Sequence, residues 1–375
     1  MGSIQDSLFI RARAAVLRTV GGPLEIENVR ISPPKGDEVL VRMVGVGVCH
    51  TDVVCRDGFP VPLPIVLGHE GSGIVEAVGE RVTKVKPGQR VVLSFNSCGH
   101  CASCCEDHPA TCHQMLPLNF GAAQRVDGGT VIDASGEAVQ SLFFGQSSFG
   151  TYALAREVNT VPVPDAVPLE ILGPLGCGIQ TGAGAAINSL ALKPGQSLAI
   201  FGGGSVGLSA LLGALAVGAG PVVVIEPNER RRALALDLGA SHAFDPFNTE
   251  DLVASIKAAT GGGVTHSLDS TGLPPVIANA INCTLPGGTV GLLGVPSPEA
   301  AVPVTLLDLL VKSVTLRPIT EGDANPQEFI PRMVQLYRDG KFPFDKLITT
   351  YRFDDINQAF KATETGEAIK PVLVF

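Results

Sequence analysis

The sequence predicts an α/β protein of two domains, one mostly β and the other a doubly wound parallel sheet. Three observations predict it. Up to about residue 178 the chain alternates short β-rich runs with closely spaced Gly and Pro and shows little helical periodicity. From residue 179 it changes to strand, Gly-rich turn and helix in succession. At 375 residues and 45% hydrophobic content, it has the material for two buried cores.

Taken in order, EVLVRMVGVGV, GSGIVEAVG, QRVVLSF and GTYALA read as strands of the first domain. QSLAIFGGGSVGLSALLGALAVGA then gives strand, turn and helix, and PVVVIEPNERRRALALDLGA repeats the unit. THSLDST and GTVGLLGV follow as further buried strands. After Leu316 come two amphipathic helices, in PQEFIPRMVQLYRDG and DDINQAFKATETG, and the closing apolar strand KPVLVF. On hydropathy Val206 to Ile225 resembles a membrane span, but Gly218, Gly220 and Pro221 interrupt the roughly 20 apolar residues a span requires. A buried helix, a turn and a buried strand explain the same letters.

Charged residues make up 17% of the chain with a formal net charge of -9, so no broad cationic surface is offered to a nucleic acid. The N-terminal MGSIQDSLFIRARAAV carries no long apolar stretch, and the expectation is a cytoplasmic protein with no membrane partner. Nine cysteines, an odd number in a long chain, point to reduced thiols or metal ligands rather than a disulfide scaffold.

Gly202, Gly204 and Gly207 stand in G-x-G-x-x-G spacing directly after an apolar strand and, with Val206, open a helix. Glycines there permit a tight turn and close backbone approach, and the helix N-terminus offers unpaired N-H groups to a pyrophosphate. The next strand ends in Glu226, where an acid accepts hydrogen bonds from the adenosine ribose. A carboxylate there repels the 2'-phosphate of NADP, so NAD is the expected cofactor. Of the Arg230 to Arg232 run, Arg231 is the residue expected to receive a phosphate if one binds; the other reading is a solvated basic turn.

Cys98, Cys101, Cys104 and Cys112 follow C-x2-C-x2-C-x7-C, four thiolates able to close a tetrahedron around one structural Zn(II). An iron-sulfur cluster is the rival, though its bacterial spacing is shorter and adds proline. Cys49, His69 and Cys177 are dispersed. Two Cys and one His leave a fourth zinc position open, the catalytic pattern, but an isolated Cys in an apolar run is more often a small core residue.

The motif GHE-x2-G-x5-G-x2-V, at Gly68, His69, Glu70, Gly73, Gly79 and Val82, resembles that of zinc-dependent alcohol dehydrogenases of the medium-chain dehydrogenase/reductase superfamily. The likeness runs nearly end to end, and EGDANPQEFIPRM resembles bacterial benzyl and aryl alcohol dehydrogenases. It implies a GroES-like catalytic domain, residues 1–178 and 320–375 with a structural zinc lobe at 98–112, and an NAD-binding Rossmann domain, residues 179–319, with the active site in the cleft between them. It implies Cys49, His69 and Cys177 as catalytic zinc ligands, Asp52 orienting the His69 ring, and Glu70 close enough for ligand exchange. Thr51 takes the hydroxyl position beside the substrate oxygen. Thr181, Leu293 and Val295 match positions flanking the nicotinamide, and Lys370 matches a basic residue on the pyrophosphate. Two departures bear on the proton path. His50 replaces an arginine that many relatives place on the pyrophosphate, and Val54 stands where the animal enzymes have a relay histidine. The implied activity is NAD-linked, zinc-dependent, reversible oxidation of primary aromatic or allylic alcohols, by a homodimer or homotetramer. The alternatives are a secondary-alcohol dehydrogenase acting as a ketone reductase, and a zinc-less crystallin-like NAD(P)-binding protein, which the complete ligand set argues against.

Overall fold

The computed structural model describes residues 9–121, 131–133, 135–297 and 299–375. The described residues divide into two units: those up to Cys177 with Asn325–Gln335 and Asp345–Phe375, and those from Gly178 to Ala324 with Leu336–Phe344.

In the first unit, EVLVRMVGVG forms the strand Glu38–Gly47, buried at most positions because it is paired along both edges. Gly71–Val78 pairs with one edge. The other edge is shared, with Tyr152–Arg156 against residues 38–42 and the closing strand Lys370–Val374 against residues 45–47. The last strand of the chain is therefore laid beside the segment leading into Cys49. Arg90–Leu93, Thr160–Pro162 and Ile348–Arg352 complete a seven-stranded sheet. A second, five-stranded sheet runs in the order Ile65–Val66, Ile10–Leu17, Leu24–Ile31, Val131–Asp133, Ala138–Val139. The two share one core that includes Leu17, Val39, Leu67, Phe95, Phe143, Phe149 and Phe360.

The second unit holds six parallel strands in the order His242–Phe244, Val222–Ile225, Leu198–Phe201, Val264–Asp269, Thr284–Leu292, Thr315–Pro318. The order reverses beside Leu198–Phe201, and in such sheets ligands bind at the carboxyl ends of the strands where that reversal opens a crevice. The segment that mimics a membrane span resolves into the buried helix Ser205–Ala216, a turn, and the strand Val222–Ile225. No helix among the described residues is long and apolar enough to cross a membrane.

The sequence places the boundary between domains near residue 320, whereas Glu321–Asp323 packs with the second unit. The reason is close backbone contact: a Cβ on Gly322 would stand 2.7 Å from the Gln180 carbonyl oxygen and 2.8 Å from Gly184 Cα.

Candidate active site

The helix His50–Asp57 starts immediately after Cys49, and its Asp52 turns back to the residue before the helix. One Asp52 oxygen accepts from the Cys49 amide at 3.0 Å; the other accepts from the Gly68 amide at 3.1 Å and from His69 Nδ1 at 3.0 Å. A single buried carboxylate thus ties together two segments that the sequence separates by about twenty residues, and it fixes the imidazole tautomer. Cys177 arrives from a third direction, at the end of the turn Gly173–Gly176, which Ser94 Oγ pins by donating to Gly176 O at 2.6 Å.

The result is a cluster in which one ligand atom each from Cys49, His69, Glu70 and Cys177 lies within 4.8 Å of the others. His69 is fully buried, and with Nδ1 held by Asp52 its Nε2 has no hydrogen-bond partner among the described residues. A buried, unsatisfied nitrogen facing two sulfurs is what a zinc ligand set requires, so the donor set fits the metal. Hydrogen bonding with Cys177 pulls the Cys49 thiol well below the ordinary thiol range, with the Lys370 and His69 charges acting in the same direction. Burial disfavours the His69 imidazolium, but the Asp52 carboxylate and the Cys49 sulfur outweigh it and raise the pKa. Thr51 Oγ1 lies 3.8 Å from Cys49 Sγ, beside this set.

Glu70 and Lys370 form a buried ion pair, with Nζ 2.8 and 2.9 Å from the two carboxylate oxygens and 3.3 Å from Val48 O. A lysine ammonium has three donors, and these three acceptors occupy them. Lys370 is therefore paired with Glu70, a member of the candidate metal cluster. His50 is exposed at the first helical residue, and Val54 is 39% exposed.

The second cluster brings Cys98, Cys101, Cys104 and Cys112 within the same 4.8 Å. Backbone amides point at the sulfurs, Cys101 N to Cys98 Sγ and Cys98 N to Cys112 Sγ, both at 3.3 Å. Amide donors from His113 and Cys104 pull the Cys101 thiol down to about 6. Such N-H to S bonds stabilise thiolate, the form that binds metal. Cys105 is exposed and outside the cluster, and none of the nine cysteines is in a disulfide.

In the other unit, Gly202 takes φ 103° and Gly207 meets the Gly202 carbonyl so closely that a Cβ would stand 1.8 Å from it. Gly204 faces open space, the position that leaves room for an approaching ligand. Glu226, 4% exposed, accepts from Gly203 N at 2.6 Å and Asn228 N at 2.9 Å, which aligns the acid with the glycine turn. Arg232 is committed to the carbonyls of Glu226 and Pro227 and to Asp245, while Arg231 Nε has no partner among the described residues. Thr181 belongs to the helix Gly178–Gly184, where Gly182 packs on Val206, and its hydroxyl lies 3.4 Å from Glu321 Oε2. Leu293 and Val295 follow the strand Thr284–Leu292 at its carboxyl end, Val295 being 89% exposed.

Sequence reasoning missed the stretch Phe143 to Gln146. Phe144 stacks on the His69 ring with centroids 4.4 Å apart, Phe143 meets its edge at 5.5 Å, and Gln146 Nε2 donates to His69 O at 2.9 Å. Nearby, Phe120 stands 5.0 Å from the Phe144 ring, Phe149 packs on Phe360, Phe95 is core, and Leu118 is half-buried.

Comparison with known proteins adds to this geometry. Residues 205–339 match the zinc-binding dehydrogenase family and residues 35–165 the alcohol dehydrogenase GroES-like domain. The chain is 76% identical over 375 residues to a geraniol dehydrogenase of Castellaniella defragrans, covering 100% of both chains. Among solved structures, an alcohol dehydrogenase zinc-binding domain protein of Burkholderia ambifaria is 49% identical with a TM-score of 0.95, over 98% of this chain and 99% of that one. The benzyl alcohol dehydrogenase of Acinetobacter calcoaceticus is 44% identical with a TM-score of 0.92, over the same shares.

Proposed function

Because the chain belongs to the zinc-binding alcohol dehydrogenase family of the medium-chain dehydrogenase/reductase superfamily, we propose that it oxidises allylic and aromatic primary alcohols to aldehydes, reversibly, with NAD. The observation that carries this reading is the set of half-buried Cys49 with buried His69 and Cys177, and its unsatisfied Nε2. A chain of rings runs from it to the surface: half-exposed Phe59 lies 5.0 Å from Phe120, Phe120 lies 5.0 Å from Phe144, and Phe144 stacks on His69. An apolar, aromatic lining of this kind suits a carbinol attached to an sp² carbon, the feature shared by geraniol and benzyl alcohol.

Cys49 Sγ, His69 Nε2 and Cys177 Sγ would hold the zinc, whose Lewis acidity lowers the pKa of an alcohol hydroxyl toward neutrality. Gly202 to Gly207 and Glu226 would hold NAD, which would supply the hydride acceptor at nicotinamide C4. Thr51 accepts the hydrogen bond of the substrate hydroxyl and hands its proton outward, with His50 and solvent as the next acceptors. Asp52 holds Nδ1-H and so sets the tautomer in which Nε2 is the ring atom that would meet the metal, and the aromatic lining excludes competing water. The four cysteines of the 98–112 lobe would hold a second, structural zinc. Glu226 selects NAD over NADP. Nine cysteines outside disulfides suit the reducing cytoplasm.

The oligomer we infer is a dimer built on the open edge of the parallel sheet. All four residues of Thr315–Pro318 are exposed, and the preceding helix Leu306–Lys312 shows Leu306, Leu307, Leu310 and Val311 at 66–85% exposure. An unpaired strand edge beside an apolar patch is covered most simply by the same surface of a second copy.

The test is metal content together with NADH formation on a panel of allylic, benzylic, saturated primary and secondary alcohols with both cofactors. Two zinc ions per chain and highest efficiency with allylic or benzylic alcohol and NAD are expected. A zinc-replete protein that prefers secondary alcohols would overturn the substrate reading.

A further inference from the structure

Phe144 is a buried aromatic residue in the left-handed region, at φ 52° and ψ 29°, where a bulky side chain is strained. Such a conformation persists only if its surroundings enforce it, and here they do. Asn159 Nδ2 donates to the carbonyls of Phe144 and Gly145, both at 3.2 Å. On the far side, Ser147 Oγ donates to Val66 O and accepts from Phe143 N, while the Ser148 and Phe149 amides donate to Gly68 O and Leu67 O. The loop is therefore stitched, residue by residue, to the segment that carries His69.

The strain has a geometric product. Two consecutive phenylalanines reach one imidazole, Phe143 at its edge with an interplanar angle of 81° and Phe144 on its face at 27°. Asp52 restrains one nitrogen but leaves the ring free to rock about that hydrogen bond. A flat ring 4.4 Å from the imidazole face removes that freedom. We infer that Phe144 is a positioning residue for His69, its strained backbone holding an aromatic plate that fixes the imidazole in the orientation from which Nε2 meets the metal. This rests on the zinc reading above.

The experiment compares Phe144→Leu, which keeps apolar bulk but removes the plate, with Phe144→Tyr, which keeps the ring, and with Phe360→Leu, a loss of buried aromatic bulk in the same core without contact to His69. The readouts are metal content, the rate of metal transfer to a chelator, and the ligand-field absorption of the cobalt-substituted enzyme. Loss of an outer-shell partner typically weakens metal binding about 10–100-fold. Phe144→Leu is expected to release the active-site metal at least about tenfold faster, with shifted or broadened cobalt bands and a lower kcat at unchanged KM for NAD. Phe360→Leu is expected to match wild type in all of these, and Phe144→Tyr to match it in metal content, metal release and cobalt bands. If Phe144→Leu does not fold, Phe144→Met, whose flexible chain fills the same space, is read in its place. Wild-type release and spectra in the ring-less variant, or the same changes in Phe360→Leu, overturn the inference and leave the zinc reading standing. Wild-type protein that carries metal in the four-cysteine lobe alone overturns the zinc reading, and this inference with it.

Discussion

Replacing Lys370 by methionine leaves the Glu70 carboxylate buried without its counter-ion. The side chains are 1% and 0% exposed, and the ammonium sits 2.8 and 2.9 Å from the two oxygens. Burial alone would lower the Lys370 pKa, but Glu70 outweighs it and holds the lysine charged; burial in turn pushes the Glu70 carboxyl up, with Lys370 opposing. Breaking such a pair from one end costs about 3–5 kcal/mol, whereas replacing both ends with apolar groups of similar volume is near neutral. In a unit of roughly 200 residues each kcal/mol is worth about 2–4 °C. Lys370→Met is therefore expected to lower the melting temperature by about 6–20 °C. The double variant Lys370→Met/Glu70→Met is expected to recover more than half of that loss. Calorimetry on the two single variants and the double gives the coupling directly, and NAD titration runs alongside. A single variant within about 1 kcal/mol of wild type, or additive losses, refutes the reasoning. An unchanged melting temperature with weakened NAD binding would return Lys370 to the pyrophosphate.

Cys177→Ala should lose one zinc and lower turnover about a thousandfold or more, several kcal/mol of charge stabilisation, with circular dichroism unchanged. Cys101→Ala should lose the other zinc and instead lower the unfolding temperature, because a structural zinc contributes to folding. Glu226→Ala removes a charged hydrogen-bond acceptor and should shift the NAD to NADP efficiency ratio about 10–100-fold toward NADP, with Arg231→Ala reversing part of the gain. Leu310→Glu, which puts a charge on the apolar face beside the open strand edge, should convert the dimer to monomer in sedimentation; an unchanged species would place the interface elsewhere.

The parts of this molecule legible in its sequence are those whose constraint is local. Gly202 and Gly207 are demanded by backbone geometry within six residues of each other, and Glu226 by the length of one helix and one strand, so spacing alone reveals them. The four-cysteine lobe is equally compact. Cys49, His69 and Cys177 have no such spacing, and only a resemblance brought them together on paper. In the fold the link is Asp52, whose two oxygens reach both ligand segments, a relation no window along the chain can contain.

The residues that sequence could not reveal share a different cause. FFGQSSFG shows neither helical nor strand periodicity, and nothing in its letters announces that Phe144 and Ser147, neither of them glycine, adopt positive φ. Those dihedrals are imposed by partners as distant as Asn159 and Val66, so the conformation is a tertiary outcome rather than a local preference. Lys370 illustrates the same limit with the opposite sign. Its position in a motif gives the residue type one task, and the pairing of strand Lys370–Val374 with residues 45–47 adds another that the motif does not announce, the buried contact of its ammonium with Glu70 and Val48 O. A motif fixes which side chain is present, while burial and the acceptors already within reach decide what that side chain can still bind.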